Sequence, residues 1–398
     1  MMIVLHAGEL GNRLFLWGEK PGEGGVEAAP QKQAKRGPLQ PLAYPFDVGF
    51  ADLASILKEA GFHLKVRKSR IESVLAWIPT QGRKPIASSP LIAERPTSRA
   101  KVRLAPWIIN TIPFSPAECV DLLSSCYKRQ TLGSGIIVGA DVAFWAEALT
   151  SDGALMTKQR NIPGLGTEGG NYKAFWEPVF TGGDAAQLAS LAAAMPSIGR
   201  SLSPLAEISP PSMPQEALLR RFITRMVDHL IRSSITEDVL PQQTGSEHTF
   251  VSVHDAWLYA LQAPDATVVG NEAELAQLAA QVRAWHRPIA ISAASPLRLC
   301  FRLEEAKAMA GKSKSRTDPT ADEWYVRYLI QAYDDPSLLI PLADVWKAKG
   351  GKVAALKRYR VNVTEHALSS LGQAARLCPD ISASLDNARP SGYVLDTT

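Results

Sequence analysis

The stretch Glu304–Ser315, EEAKAMAGKSKS, carries the spacing A-x-x-x-x-G-K-S from Ala306 to Ser313, a loose form of the loop that cradles nucleotide phosphates. That chemistry needs a strand, a glycine-rich turn and then a helix whose first backbone N–H groups face the phosphates. A strand pattern, LRLCFRL, does precede the loop. Ala306, however, stands where such loops use the backbone freedom of glycine. Pro319 and the polar residues before it argue against a helix starting at Gly311. No apolar strand ending in Asp-Glu follows to hold magnesium. Gly311, Lys312 and Ser313 therefore read as a coincidental match in a polar connection.

The histidines offer little more. HTFVSVHD brings His248, His254 and Asp255 close in sequence, but the spacing of the two histidines fits neither one helix face nor adjacent strands. A loop entering a helix, with Asp255 near the cap, is the plainer reading. His229 falls on a long amphipathic helix, as surface or core margin. G-x-S-x-G is absent, and local context pairs no cysteine with a histidine. Carboxylates are plentiful, but a facing pair for acid–base work cannot be read from order alone. No catalytic residue, metal ligand or cofactor is assigned.

Charge and aromatic content point elsewhere. Residues 1–110 hold 16 Lys and Arg against 9 Asp and Glu, whereas the rest holds 27 against 30. A basic N-terminal third can attract nucleic acid, and it can equally be a solvated surface. Most of the 9 tryptophans sit in apolar periodic runs and read as core rather than base-stacking platforms. Trp17, near Arg13 on the opening hairpin, fits either role. The 4 cysteines are scattered with no C-x-x-C pair, which suits a reducing cytoplasm. Neither a secretory leader nor an apolar run of membrane-spanning length is expected, so a cytoplasmic chain without a membrane partner is anticipated.

The elements that must position these residues follow from periodicity and punctuation. IVLHAG and RLFLWGE flank a Gly-Glu-Leu-Gly-Asn turn and predict a β-hairpin. A Gly- and Pro-rich charged stretch, EKPGEGGVEAAPQKQAKRGPLQP, reads as a disordered loop. Helices are predicted at FADLASILKEAG, ending at Gly61, at SPAECVDLLSSCY and at GADVAFWAEALTSDG. Another is predicted at GGDAAQLASLAAAMP, capped by Asp184, followed by PQEALLRRFITRMVDHLIRS and EAELAQLAAQVRAW. SVLAWIPT, YKAFWEPVF and SPLRLCFRLEE read as strands. The last third is expected to close in helices around ADEWYVRYLIQAYDD and TEHALSSLGQAARLCP. The fold class is a mixed α+β: a β-containing part over 1–182, a helical middle over 183–290 and a small α+β part over 291–398. No RecA-like lobes are expected.

Six blocks taken in order, MIVLHAGELGNRLFLWGE, FWEPVF, LASLAAAMP, SPLRLCFRLEE, WYVRYLIQAYDDPSLLIPLADVW and LGQAARLCPDI, give the chain a family likeness. It resembles the region preceding the motor of bacterial SWI/SNF-type helicase-like ATPases. The resemblance implies that 291–398 is part of a helicase-associated domain, with the two-lobed motor expected after it. The motor's nucleotide-binding and arginine-finger motifs have no counterpart here, so none of its ligands is carried over. What the resemblance implies is a non-catalytic accessory region, truncated or split from its motor, that binds double-stranded DNA or regulates a SWI/SNF-type ATPase motor in cis or in trans. Arg13, Lys65, Arg67, Lys68, Arg70, Arg83 and Lys84 are the candidate phosphate contacts. An interaction scaffold docking a separate partner is the alternative, with an exposed apolar surface expected at the C-terminal end.

Overall fold

The structure is a computed structural model describing residues 2–22, 41–62, 71–94, 101–133, 135–157, 160–235, 250–305, 324–348 and 353–395, with backbone only at 151–157, 182, 183, 291, 292 and 294. The chain is a mixed α+β protein that divides into two compact units. The first comprises 1–178 and 188–279; the second comprises 179–187 and 280–398. The helical middle expected over 183–290 is thus shared between them.

In chain order the first unit opens with β1 (Ile3–Leu10), β2 (Arg13–Glu19), β3 (Leu42–Ala43), α1 (Phe50–Glu59), β4 (Glu72–Gln81), β5 (Lys84–Pro85) and β6 (Val102–Phe114). It continues with α2 (Pro116–Cys126), β7 (Thr131–Leu132), β8 (Ile136–Val138), α3 (Ala140–Thr157), β9 (Asn161–Glu168) and β10 (Asn171–Pro178). Then come α4 (Gly182–Ala193), of which only the part from Leu188 belongs to this unit, β11 (Leu202–Ser203), α5 (Gln215–Ser234), α6 (Val253–Ala260) and α7 (Glu272–Ala294), which belongs to it as far as Ala279. Among the described residues the main sheet has nine strands, in the order β11-β4-β6-β2-β1-β8-β7, with β3 beside β6 and β5 beside β4. All pairs are antiparallel except β1 with β8 and β3 with β6.

The opening hairpin is set by Gly11 and Asn12, whose φ values of 53° and 63° make the tight turn whose twist matches the strands it joins. Both faces of this hairpin are covered, which is why β1 is buried almost throughout, His6 and Glu9 included. On one face pack α2, α3 and α5. The other carries a cluster of Phe15, Trp17, Tyr44, Val74, Ala76, Ile78, Trp107, Ile109 and Leu202. Helix α2 starts at Ser115 with a full capping box to Glu118, as the Ser-Pro signal predicts.

Two local expectations are corrected. Asp184 is not the cap of α4: it lies in the first turn and accepts the backbone N–H and hydroxyl of Thr181 at 3.1 and 2.6 Å. EAELAQLAAQVRAW does not end its helix near Trp285; α7 runs through Pro288 to Ala294.

The second unit holds β12 (Leu297–Glu305), β13 (Trp324–Ala332), β14 (Leu339–Pro341), α8 (Leu342–Lys347), α9 (Val363–Ala374), α10 (Pro379–Ser384) and β15 (Gly392–Leu395). The segment WYVRYLIQA, expected as helix, is the central strand of this sheet, with β12 on one edge and β14 and β15 sharing the other. The reason is visible in the burial. Val326, Tyr328, Ile330 and Ala332, two residues apart, all enter the core. That period of two, with dense aromatic and β-branched side chains, belongs to a strand. Among the described residues no helix is long and apolar enough to cross a membrane.

Candidate functional site: a polar relay on the opening hairpin

The densest meeting of reactive side chain types among the described residues lies inside the first unit, on β1 and β2. Strands β1 and β8 run parallel with Leu5 beside Val138, so the chain leaving β8 through Gly139 starts α3 next to His6. Gly139 is required there. A Cβ at this position would stand 2.4 Å from the Leu5 carbonyl oxygen and 2.6 Å from Asp141 Oδ1. With no side chain at 139, the first turn of α3 closes on the strand. Asp141 Oδ2 then accepts the Ala7 N–H at 2.6 Å, and Oδ1 accepts His6 Nδ1–H at 3.0 Å. The positive end of the helix dipole favours a carboxylate at this place.

On its other side His6 Nε2 lies 3.0 Å from Ser88 Oγ. Ser88 donates its hydroxyl to Glu19 Oε2 at 2.5 Å and its backbone N–H to the same oxygen at 3.0 Å. Tyr44 donates its phenol to Glu19 Oε1 at 2.6 Å. Trp17, opposite His6 in the hairpin register, stacks on the imidazole with centroids 4.5 Å apart. His6, Glu19 and Asp141 are buried, whereas Ser88 is exposed.

A hydroxyl, an imidazole and a carboxylate in this order have the spacing of a nucleophilic triad. The protonation states oppose that chemistry. Burial by itself would lower the His6 pKa, but the charge and hydrogen bond of Asp141, followed by those of Glu19, raise it to about 10. Burial would raise Glu19, but the hydrogen bond and charge of His6, then the Ser88 and Tyr44 hydroxyls, hold it below its ordinary value. Near neutral pH, His6 is therefore an imidazolium that donates to Ser88, and Ser88 donates onward to an ionised Glu19. A general base must be neutral to take the serine proton. The relay is a set of struts linking β1, β2, α3 and the segment after β5.

A second buried charge group lies on the other face of β1. Glu9 accepts Arg221 Nε–H at 3.0 Å and stands 3.5 Å from Arg225 Nη2, both on α5. Burial pushes the Glu9 pKa up, and the two guanidinium charges oppose it. This group ties α5 to the sheet. Among the described residues no group of three or more His, Cys, Asp or Glu side chains is arranged to hold a metal ion.

Among the described residues, Arg13 is not brought together with the candidate phosphate contacts Arg83 and Lys84. Arg13 grips Glu72 with both guanidinium ends, at 2.6 and 2.7 Å, and lies 4.9 Å over the Phe15 ring. Arg83 and Lys84 sit at the opposite end of β4, roughly 30 Å from Glu72 at about 3.3 Å per strand residue. Lys65, Arg67, Lys68 and Arg70 lie outside the described residues, as do Gly311, Lys312, Ser313, His248 and most of the Gly- and Pro-rich loop. His254 follows the Ser252 cap of α6 and packs edge-on to Trp257. Trp17 is fully buried.

Sequence reading missed His6, Glu19, Ser88 and Asp141. The available signal was a histidine and two glutamates set in otherwise apolar strands, where an unpaired polar side chain is costly. Ser88 and Asp141 lie 82 and 135 positions from His6, too far apart to form a short motif. Set against protein-family models, curated proteins and solved structures, the chain gives no match.

Proposed function

We propose that this chain is a non-catalytic accessory region of a bacterial SWI/SNF-type DNA-dependent ATPase, acting in the cytoplasm by contacting duplex DNA or regulating the motor. The family likeness of the six blocks supplies the class. The observation that carries the non-catalytic part is the relay: its serine, histidine and carboxylates donate and accept among themselves, with the imidazole in its cationic form. The test is to measure duplex binding and ATP turnover on the full chain. Salt-sensitive binding without turnover is expected. ATP hydrolysis abolished by Lys312→Ala, or no duplex binding at low salt, would overturn the reading.

One observation favours a scaffold that docks a separate motor. On β12 the row Leu297, Leu299, Phe301, Leu303 faces the core of the second unit, yet Phe301 and Leu303 are 46% and 54% exposed. Apolar side chains left uncovered on a core-facing row suit a partner surface. Phe301→Ser with Leu303→Ser should then abolish capture of a motor polypeptide while leaving DNA affinity unchanged. Unaltered capture would remove this second reading.

A further inference from the structure

The first unit carries a localised cationic end that no part of the relay uses. Strands β4 and β5 are joined by Gly82 and Arg83, with Gln81 beside Lys84 across the turn and beside Val102 at the start of β6. Gly82 takes φ 63°, which lets the turn close in two residues. The fold therefore places Arg83, Lys84, Lys101 and Arg103 at one end of the sheet, with Lys84 on the face of Gln81 and Val102 and Arg103 on the opposite face with Thr80. Lys84 and Val102 flank Gln81 on its two sides, so β5 and β6 stand about 10 Å apart there.

All four cations are exposed, and none forms an ion pair among the described residues. Their register partners are Gln81 and Thr80, and neighbouring Pro79, Pro85, Val102 and Leu104 bring no acid. The sequence repeats the asymmetry: residues 73–117 contain six Lys or Arg and a single acid, Glu94. This separates the patch from Arg13, whose charge is taken up by Glu72. Like charges gathered without counter-ions repel one another, and a polyanion removes that cost. Val102 and Leu104, 55% and 56% exposed, lie on the Lys84 face of this end and add apolar area that a partner covering that face would bury.

We propose that this end of the sheet, the β4–β5 turn with the start of β6, is the surface that holds the phosphate backbone of duplex DNA, through Arg83, Lys84, Lys101 and Arg103. The inference rests on the reading of the chain as a DNA-contacting module and names the surface that makes the contact. Its contacts are to phosphates, so it sets affinity and orientation rather than base sequence.

The test uses the full chain, a short fluorescein-labelled DNA duplex, and anisotropy titrations at increasing salt. Arg83→Ala, Lys84→Ala, Lys101→Ala and Arg103→Ala are combined in one variant, and Arg13→Ala serves as control. Each cation removed from a phosphate should flatten the plot of log affinity against log salt by about 0.9 and weaken binding about eightfold at roughly 0.1 M salt. A second variant, Arg83→Glu with Lys101→Glu, keeps the test decisive if the quadruple change disturbs folding by circular dichroism. Reduced slopes in these variants, with Arg13→Ala unchanged, support the surface. Wild-type slopes in both, while the native chain binds duplex, overturn the surface and leave the DNA reading standing. No binding by the native chain overturns both. Tighter binding to an RNA duplex of the same length overturns the choice of partner.

Discussion

Asp141→Asn tests the state of the relay directly. The substitution keeps the side chain's shape but removes the charge that His6 Nδ1–H and the Ala7 N–H share at 3.0 and 2.6 Å. An amide offers one acceptor oxygen, so one of these two buried donors meets an NH2 group instead. Breaking a buried ion pair from one side costs roughly 3–5 kcal/mol; about 3 kcal/mol is expected here because one hydrogen bond survives. The pH dependence is more diagnostic. His6 has its folded pKa raised from 6.5 to about 10. The folded state thus favours the cation, so this stabilisation is complete below pH 6.5 and disappears as pH rises through about 10. At about 1.4 kcal/mol per pH unit the full effect is roughly 5 kcal/mol, of which about 4 is lost between about pH 6 and about pH 9.5. Burial also pushes the Cys119 and Cys126 thiols up to about 12. Both proteins share that alkaline contribution, so it cancels between them. The assay is urea unfolding followed by tryptophan fluorescence at the two pH values, for wild type and Asp141→Asn. The wild type should lose distinctly more stability between them than the variant. Parallel losses would mean that His6 is not held as a buried cation, and the argument against triad chemistry would fall with it.

Other outcomes follow from the same geometry. Gly139→Ala drives a methyl group against the Leu5 carbonyl and Asp141, and should destabilise the chain by about 3 kcal/mol in urea unfolding, near the upper end for overpacking; a change under about 0.5 kcal/mol would show that the turn has room. Ser88 should remain unlabelled by a fluorophosphonate probe at neutral pH, because its proton is directed to Glu19 and its neighbour His6 is cationic; labelling lost in Ser88→Ala would show that the serine acts as a triad nucleophile. Arg13→Ala should cost under about 1 kcal/mol, since its pair with Glu72 is half-exposed and screened, and a larger loss would mark that pair as structural.

Local signals told correctly where several elements lie, among them the opening hairpin, α1 and α2, while strands such as β6 went unread. The turn read between IVLHAG and RLFLWGE does close a hairpin, tightened to Gly11–Asn12 because β1 runs on to Leu10; Ser115-Pro116 does start a helix, and Gly61 at φ 92° follows the end of α1 as a terminating glycine should. These are interactions among residues a few positions apart, so sequence alone contains both partners. The segment WYVRYLIQA failed that test. Its three flanking strands, β12, β14 and β15, which take up its backbone hydrogen bonds, come from about 30 positions before and up to 70 positions after.

The candidate sites divide the same way. Composition showed an excess of positive charge in the first third, but which cations stand together was decided by the β4–β5 turn and the start of β6, which leave Arg83, Lys84, Lys101 and Arg103 at one end and Arg13 at the other. His6 drew no notice in the sequence, where none of its partners lies near it. Only the parallel pairing of β1 with β8, and the bare backbone at Gly139, bring Asp141 to one of its nitrogens, while the segment after β5 brings Ser88 to the other. Sequence determines what each short stretch does by itself, because torsional preference and capping act within a few residues. Which charges become neighbours, and in what protonation state they are held, depends on burial and long-range pairing, and these exist only once the chain has folded.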